Sequence, residues 1–305
     1  MAEQDRERNV SGDKASQASI VNLLFQTEAI RISAADKPFW YTSGTIGPFY
    51  INTHFLYDGE NNANELLAKI DHEKEDILLM PGKITAAVLK TYENSPSYRL
   101  VIDTMLQYIE NNMDKDAIDI ISGGERRDWF FSYALAHRMQ KRHLTIYKDL
   151  SMVIGSDVPC GEDDLVSVVS EKQLSGLRAL HISDLITEAS SFQRAWEPAL
   201  KVAGAHIDQS LTVVDRCQGG EQVLTTLGIK HHAMVTVERE LFEQAAQMGY
   251  INSDQLALVV EYQQEPKETM RTFLQRNPDF LEQALRSGGK DAERAKLCIE
   301  SGIYA

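Results

Sequence analysis

A strand, a hydroxyl-rich loop and a helix follow one another in residues 175–204, and this stretch constrains the fold more than any other. The short apolar run at 177–182 has the length of a buried strand. Residues 183–191 are polar, and the apolar residues after them recur at helical spacing until Gly204, a typical helix end. This order is one half of a βαβ unit, whose loop lies where open α/β sheets bind ligands. The N–H groups at the start of such a helix favour an anion.

The same alternation of strands and helices extends over much of the chain. Further strands are predicted at 117–122, 144–147, 211–215 and 233–237. Apolar residues recur at helical spacing over residues 60–113, and Pro81 and Pro96 lie where helices are predicted to begin. The chain is predicted to be helical again from Glu240 onward. This alternation predicts an α/β fold with a mainly parallel sheet flanked by helices on both faces.

The segments around this pattern give a predicted domain organisation. Residues 1–16 are polar and are predicted to be disordered. Residues 38–59 are aromatic and β-branched with glycine breaks, which is typical of a β-hairpin. We predict a main domain over 17–245, with a hairpin hood at 17–59 and a helical insertion at 60–113. An all-helical C-terminal extension would follow at 246–305.

Charge and cysteine content narrow the classes of function. With 31 basic and 45 acidic residues the formal net charge is −14, so the surface repels nucleic acid and anionic membranes. No apolar run reaches the roughly 20 residues of a membrane span. The three cysteines lie far apart and are odd in number, which favours a reducing compartment. We expect a cytoplasmic protein.

Residues 39–52, 183–191 and 213–220 are three separated segments with recognisable motifs. In this order they resemble orotate phosphoribosyltransferase, a type I phosphoribosyltransferase. Asp184, Thr187 and Ser191 match the family's ribose-phosphate motif, which reads two acids, two apolar residues, Thr-Thr-Gly, a small residue and Ser or Thr. Residues 39–52 resemble its Phe-Thr-Leu-x-Ser-Gly segment and the Ser-Pro-Tyr-Tyr that follows. Residues 213–220 resemble its Val-Asp-Arg-Gln-Glu-Gly-Gly segment. The resemblance implies the family's fold.

The resemblance also implies a reaction, the transfer of ribose 5-phosphate from phosphoribosyl pyrophosphate to orotate with Mg²⁺. Arg216 would hold the carboxylate of the base, a group that suits the planar fork of a guanidinium. Phe39, Ser43 and Gly44 would close over the base. The alternatives are a salt bridge from Arg216 to Asp215 or Glu221, and a hairpin that only packs hydrophobically.

Two loops are expected to contact phosphate groups. The residues predicted to bind pyrophosphate are Gly123, Gly124, Arg126 and Arg127. The residues predicted to bind the 5-phosphate are Thr187, Ser190 and Ser191. Asp184 would serve the ribose hydroxyls or the metal. The alternative for the two arginines is pairing with the acids beside them in the sequence.

Departures from the family pattern predict impaired or altered transfer. Glu188 and Ala189 stand where the family has Thr and Gly, and Ser183 where it has an acid, so a carboxylate is expected beside the phosphate. Like charges 4 Å apart cost roughly 4 kcal/mol at an effective dielectric of 20. Of the catalytic-loop cations only Lys148 is present, in an otherwise acidic segment. Lys148 and Asp184 are therefore the predicted catalytic residues.

Two hypotheses follow. The first is an enzyme of the orotate phosphoribosyltransferase type, and the second is a non-catalytic protein on that fold which binds a nucleobase, phosphoribosyl pyrophosphate or a nucleotide. A homodimer is predicted, because family members are usually dimers and the apolar helix faces need partners. His231 and His232 are interpreted as a strand edge rather than metal ligands, and Cys217 as a buried thiol.

Overall fold

The computed structural model describes residues 18–304, so the predicted disorder of residues 1–16 falls outside it. By their contacts the described residues divide into two compact units. The first contains Thr53–Val237 together with the described residues up to Glu28, and the second contains Ala29–Asn52 and the chain from Glu238 onward.

Strands and helices alternate along the chain. The strands are β1 (Ile30–Ile32), β2 (Phe39–Trp40), β3 (Ile46–Gly47), β4 (Phe49–Ile51), β5 (Ile120–Gly124), β6 (Arg142–Ile146), β7 (Met152–Gly155), β8 (Val166–Val168), β9 (Arg178–Ile186), β10 (His206–Asp215) and β11 (Lys230–Thr236). The α-helices are α1 (residues 18–26), α2 (Glu60–Glu73), α3 (Met80–Asn94), α4 (Pro96–Asn112), α5 (Trp129–Arg138), α6 (Glu197–Ala203), α7 (Gly220–Leu227), α8 (Arg239–Gln247), α9 (Ser253–Gln264), α10 (Pro266–Arg276), α11 (Phe280–Ser287) and α12 (Gly289–Ser301). A short 3-10 helix covers Thr53–Leu56, and a π-helical turn, Phe192–Trp196, leads into α6.

A seven-stranded sheet forms the centre of the first unit. Its strand order, in the part of the chain that the structure describes, is β11-β10-β9-β5-β6-β7-β8. The strands from β11 to β6 pair in parallel, and β7 and β8 continue the sheet in antiparallel pairing. The predicted α/β fold with a mainly parallel sheet flanked by helices is confirmed.

The two sides of β6 have different chemistry. On one face Leu144 and Ile146 of β6 join an apolar cluster with Phe192, Trp196 and Leu200. Successive side chains of a strand point to opposite faces, so the polar residues between them in β6 face α5. The structure therefore has an apolar core on one side of β6 and buried polar groups on the other.

Two strands end later than the sequence predicts. The ladder between β9 and β10 continues to the pair Ile186 and Asp215, so Ser183 and Asp184 belong to the strand rather than to the loop after it. In the same way β5 keeps its pairing with β6 up to Gly124. The loops that carry polar ligand-binding candidates are therefore shorter, 125–128 and 187–191.

The helical insertion and the helical tail are confirmed. Helices α2, α3 and α4 fill the predicted range 60–113. Pro96 is the first residue of α4 and Pro81 the second of α3, positions that have no helical partner for an N–H. Helices α9 to α12 account for the chain after residue 252.

The second unit pairs the hairpin segment with the C-terminal helices. β1 pairs with β4 and β2 with β3, both antiparallel. Trp40 stacks on Phe280 with ring centroids 5.5 Å apart, and Ile46 shares an apolar cluster with Met270 and Phe273. The sequence-based division groups this hairpin with the main domain instead. A small hairpin cannot bury its own aromatic residues, and here the tail helices cover them.

Candidate functional site

A polar cleft of about 330 Å³ opens at the carboxyl ends of β5, β6 and β9. The cleft lies where open α/β sheets bind ligands. It brings together most of the residues that the sequence singles out for phosphate and catalysis. These are Arg126, Arg127, Lys148, Asp184, Thr187, Ser190 and Ser191.

The two glycines before this cleft serve packing instead of lining it. Gly123 and Gly124 are buried residues of β5. A Cβ on Gly123 would overlap Ser132 Oγ, and one on Gly124 would overlap the Trp196 ring. The Gly124 N–H donates to Asp128 Oδ2 at 3.0 Å, so it is not free for an anion. Close helix and ring contacts explain both glycines.

The two arginines of the 125–128 loop differ in their pairing. The Arg126 guanidinium pairs with the carboxylate of Asp71, rather than with the acids beside it in the sequence. The Arg127 side chain has no ion pair or hydrogen bond among the described residues, and it lines the cleft. Arg127 is thus the cation of this loop that is free to bind an anion.

The positive charge of this loop also acts on a buried histidine that sequence reasoning missed. Burial, with smaller contributions from Arg127 and Arg126, lowers the pKa of His54 to about 3. His54 is 3% exposed, and its Nδ1 has no hydrogen-bond partner among the described residues. The imidazole is therefore neutral at physiological pH and adds no charge near the cleft.

A pair of carboxylates, Asp184 and Asp128, forms the floor of the cleft. Asp184 Oδ2 accepts a hydrogen bond from Thr53 Oγ1 at 2.6 Å, and the Asp184 N–H donates to Asp128 Oδ1 at 3.0 Å. Burial, and then the charge of Asp128, raises the pKa of Asp184 to about 7. The hydrogen bond from Thr53 and the charge of Arg127 act in the opposite direction. The carboxyl group of Asp184 is therefore partly protonated near neutral pH.

Asp128 and Thr53 have no matching signal in the family motif. Asp128 lies four residues beyond Gly124, immediately before α5, and the close approach to β9 is a tertiary contact. Thr53 reaches Asp184 from a short 3-10 helix far away in the chain. Ser183, which replaces the family's first acid, lines the cleft with a buried hydroxyl that has no partner among the described residues.

The hydroxyl loop presents Thr187, Ser190 and Ser191 to the cleft, but Glu188 does not take part. The Glu188 side chain is exposed and is not among the cleft-lining residues. Ala189, at φ 51°, adopts the left-handed backbone conformation that the family's glycine would adopt easily. The expectation that Glu188 places a carboxylate beside the phosphate is therefore wrong. The chain turns at Ala189, and Glu188 lies on the outer side of that turn.

Lys148 follows β6 at the edge of the cleft. Its backbone N–H donates to Glu125 Oε2 at 3.0 Å, which ties the 125–128 loop to the turn before β7. The rest of the predicted catalytic loop forms the β7 and β8 hairpin at the end of the sheet. Among the described residues, Lys148 is the one lysine that lines the cleft.

Arg216 lies directly after β10, with its N–H donating to the Ile186 carbonyl at 2.9 Å. It is half-buried, and its Nε has no partner among the described residues. The neighbouring Asp215 bonds His231 Nε2 at 3.2 Å and the Cys217 N–H at 2.7 Å instead. The alternative of a salt bridge to Asp215 is therefore not what this structure shows.

The other candidates have structural roles or lie in the second unit. His231 and His232 lie on the edge strand β11, as interpreted, and His231 also bonds Ser210. Cys217 is exposed, so the expectation of a buried thiol is wrong. In the second unit Phe39 packs edge-on against Tyr50, Ser43 bonds Thr45 at 2.7 Å, and Gly44, at φ 79°, packs against Leu297 of α12.

No protein-family model matches the sequence, and no curated protein matches it significantly. Solved structures do match the fold. UMP synthase of Leishmania donovani is similar over 81% of this chain, at 16% identity and a TM-score of 0.52. The match spans 42% of the UMP synthase chain. This likeness shows that the chain has the type I phosphoribosyltransferase fold, as the sequence motifs imply.

Two orotate phosphoribosyltransferase structures are also similar. The enzyme of Francisella tularensis aligns with 80% of this chain and 97% of its own, at 12% identity and a TM-score of 0.49. That of Aeropyrum pernix aligns with 75% of this chain and 99% of its own, at 17% identity and a TM-score of 0.44.

Within the described residues, no helix has both the length and the apolar character of a membrane span.

Proposed function

We propose that this chain is an orotate phosphoribosyltransferase-like protein that binds phosphoribosyl pyrophosphate or a related nucleotide, with impaired or altered transfer. The observation that carries the proposal is the cleft itself. It combines an unpaired arginine, Arg127, with the hydroxyl loop 187–191 at the carboxyl ends of parallel strands. Hydroxyl groups, loop N–H groups and a free guanidinium are the groups that bind phosphate.

The floor of the cleft suits a ribose. Asp184 and Asp128 offer carboxylate oxygens beside the hydroxyl loop, and Ser183 adds an unpaired hydroxyl. Carboxylates accept hydrogen bonds from sugar hydroxyls, and a partly protonated carboxyl also donates one. Arg216, at the end of the neighbouring strand β10, is proposed to receive the carboxylate of the base.

The carboxylate pair also fits Mg²⁺, the metal that the resemblance implies. No group of three or more His, Cys, Asp or Glu residues able to hold a metal occurs among the described residues. Mg²⁺ often takes only one or two carboxylates and completes its shell with water and ligand phosphates. Asp184 and Asp128 would provide those carboxylates, and the bound ion would neutralise phosphate charge.

A second candidate function is binding without catalysis, on the same fold. The observation that favours it is the hairpin formed by the predicted catalytic loop, whose residues 149–165 contain no Lys, Arg or His. Under this alternative the cleft holds a nucleotide or phosphoribosyl pyrophosphate as a signal. The two functions share the phosphate cleft and differ in turnover.

Binding of phosphoribosyl pyrophosphate tests the phosphate cleft that both candidate functions require. With Mg²⁺ present, the wild-type protein is expected to bind it in isothermal titration calorimetry. Arg127→Ala should weaken binding about 10–100-fold, because a charge-assisted hydrogen bond contributes about 1.5–3 kcal/mol. Arg194→Ala is the matched control, since Arg194 is exposed, follows the hydroxyl loop 187–191 closely in the chain, and does not line the cleft. Absence of binding at millimolar ligand, or equal losses in both variants, would contradict the proposal.

Orotate binding tests the base site separately. Millimolar orotate is expected to raise the melting temperature of the wild-type protein, because a ligand that binds only the folded state stabilises it. Arg216→Ala should abolish this shift, since it removes the charge partner of the carboxylate. Differential scanning fluorimetry measures both, with uracil as the control ligand that lacks the carboxylate. A wild-type protein that does not respond to orotate would leave Arg216 without its proposed ligand.

A homodimer is the proposed assembly. Leu78, Leu79, Leu100 and Val202 are among the exposed large apolar side chains of the first unit, and a partner would cover such groups. Light scattering at micromolar concentration is expected to give twice the 34.3 kDa chain mass. A mass of one chain would refute this prediction.

A further inference from the structure

A second cavity lies on the other face of β6, away from the apolar core cluster. Its volume is about 210 Å³, below the roughly 300–1,000 Å³ of pockets for drug-sized ligands. His143 and Thr145 of β6, Tyr133 of α5 and Thr85 of α3 line its inner part, and residues 155–160 and 163–166 line the rest. None of these residues lines the phosphate cleft, so the two sites are separate.

The inner wall of this cavity is a buried chain of hydrogen bonds without charge. Tyr133 Oη and Thr145 Oγ1 are 2.7 Å apart, and Thr145 Oγ1 and His143 Nδ1 are 3.0 Å apart. His143 Nε2 lies 2.9 Å from Ser132 Oγ. Burial lowers the pKa of His143 to about 3, so the imidazole is neutral. These groups satisfy one another and need no ligand.

Thr85 is the exception among the inner polar groups. It is 1% exposed, and its Oγ1 has no hydrogen-bond partner among the described residues. A hydroxyl buried without a partner is destabilising, since it has lost its water and gained nothing in exchange. Because Thr85 lines the cavity, a bound molecule with a polar group would supply the missing partner.

The roof of the cavity is a well-anchored loop between β7 and β8. The Ser156 N–H donates to the Leu165 carbonyl at 2.9 Å, and the Cys160 N–H donates to Asp164 Oδ2 at 2.9 Å. His137 Nδ1 lies 2.7 Å from the Pro159 carbonyl oxygen. A Cβ on Gly82 of α3 would lie only 2.6 Å from the Glu162 carbonyl oxygen, so the helix and the roof are in close contact. The cavity therefore has a defined shape without a ligand.

The charge of the lining selects the ligand. Asp157, Asp163 and Asp164 line the cavity, and no Lys or Arg within residues 18–304 does. Asp164 is held by Cys160, whereas the carboxylates of Asp157 and Asp163 have no ion pair or hydrogen bond among the described residues. This arrangement repels phosphates and carboxylates and attracts cations. The phosphate cleft differs, because Arg127 and Lys148 line it together with its carboxylates.

We propose that this cavity is a binding site for a small organic cation of the alkylamine class. The ammonium group lies at the carboxylates of Asp157 and Asp163, and the rest of the molecule extends inward to the hydroxyl of Thr85. In this proposal the acidic segment 155–166 covers the bound cation. The proposal does not depend on the proposed function of the phosphate cleft.

Calorimetric titration with 1,4-diaminobutane tests the site, with butane-1,4-diol and succinate as the neutral and anionic counterparts of the same length. The diamine is expected to bind, and the diol and succinate are not. The double variant Asp157→Asn with Asp163→Asn should weaken diamine binding about a hundredfold, because each lost charge-assisted contact alone weakens binding about tenfold. Thr85→Val should weaken it too, while circular dichroism verifies the fold.

Two controls make the test specific. Glu162→Gln removes a charge from the same loop at an exposed residue that does not line the cavity, and binding should be unchanged. Arg127→Ala should likewise leave diamine binding unchanged, since it alters only the other site. The proposal is overturned if neither 1,4-diaminobutane nor a series of shorter and longer alkylamines binds at 10 mM. It is also overturned if the diol binds as well as the diamine, or if the double variant and Glu162→Gln behave alike.

Discussion

Orotidine monophosphate formation by the purified protein is expected to be at least about a thousandfold slower than in an efficient enzyme, equivalent to about 4 kcal/mol of lost transition-state stabilisation. The reason is the leaving group. Departing pyrophosphate gains negative charge, and stabilising such charge is usually the largest single catalytic effect. Among the cations that line the cleft, Arg126 is already paired with Asp71, which leaves Arg127 and Lys148.

The segment after Lys148 has no means of supplying more positive charge. Residues 149–165 contain no Lys, Arg or His, and they form a hairpin whose tip roofs the second cavity. Binding of phosphoribosyl pyrophosphate needs the hydroxyl loop and Arg127, which are present, whereas turnover needs loop cations as well. We therefore expect binding to be retained and the chemical step to be slow.

A steady-state assay with orotate, phosphoribosyl pyrophosphate and Mg²⁺ measures this, alongside the binding titration on the same preparation. Turnover near ten per second, an ordinary enzyme value, would contradict the prediction. Glu188→Thr serves as the control for the cause of the impairment. Because Glu188 is exposed and lies outside the cleft lining, this change should leave binding within about threefold of wild type. A large increase in the affinity of Glu188→Thr for phosphoribosyl pyrophosphate would instead show that the Glu188 carboxylate repels the phosphate.

The sequence predicts those parts of the fold that local patterns control. The apolar run at 177–182 and the helical spacing after it give the strand and helix around the hydroxyl loop. Pro81 and Pro96 mark helix starts, because proline at these positions loses no helical hydrogen bond. The alternation of these elements is sufficient to predict a mainly parallel sheet.

The parts of the site that depend on tertiary contacts could not be predicted from the sequence. Asp128 and Thr53 reach Asp184 from elements 56 and 131 residues away in the chain. The roles of Gly123 and Gly124 depend on where Ser132 and Trp196 pack, which no local motif records.

Local backbone geometry explains the error at Glu188. A motif comparison assigns residues to positions but does not give the direction of a side chain. The left-handed conformation of Ala189 turns the loop so that its hydroxyls face the cleft while Glu188 faces solvent. A φ of 51° on a residue with a Cβ is rarely predictable from sequence, because glycine is the usual residue there.

The free energy of unfolding is expected to depend on pH through Asp184. Burial and the charge of Asp128 raise the pKa of this carboxyl to about 7 in the folded protein, against about 3.9 in an unfolded chain. Between these two values the folded state binds more protons than the unfolded state, so stability falls as the pH rises from about 4 to about 7. The slope cannot exceed about 1.4 kcal/mol per pH unit for a single carboxyl.

Asp184→Asn isolates this contribution, because the amide stays neutral while its oxygen still accepts the hydrogen bond from Thr53. The stability difference between Asp184→Asn and wild type should shift steadily in favour of the variant as the pH rises from 4 to 7, with a slope of at most about 1.4 kcal/mol per pH unit. Urea unfolding at a series of pH values measures the shift, with Asp36→Asn, an exposed residue of the second unit, as the control. Because the charge of Asp128 helps to raise the pKa of Asp184, Asp128→Asn should lower that pKa and reduce the same shift. If the difference between Asp184→Asn and wild type is constant over this range, the carboxyl titrates as an ordinary aspartate, and the cleft floor is wetter and less strongly coupled than its hydrogen bonds indicate.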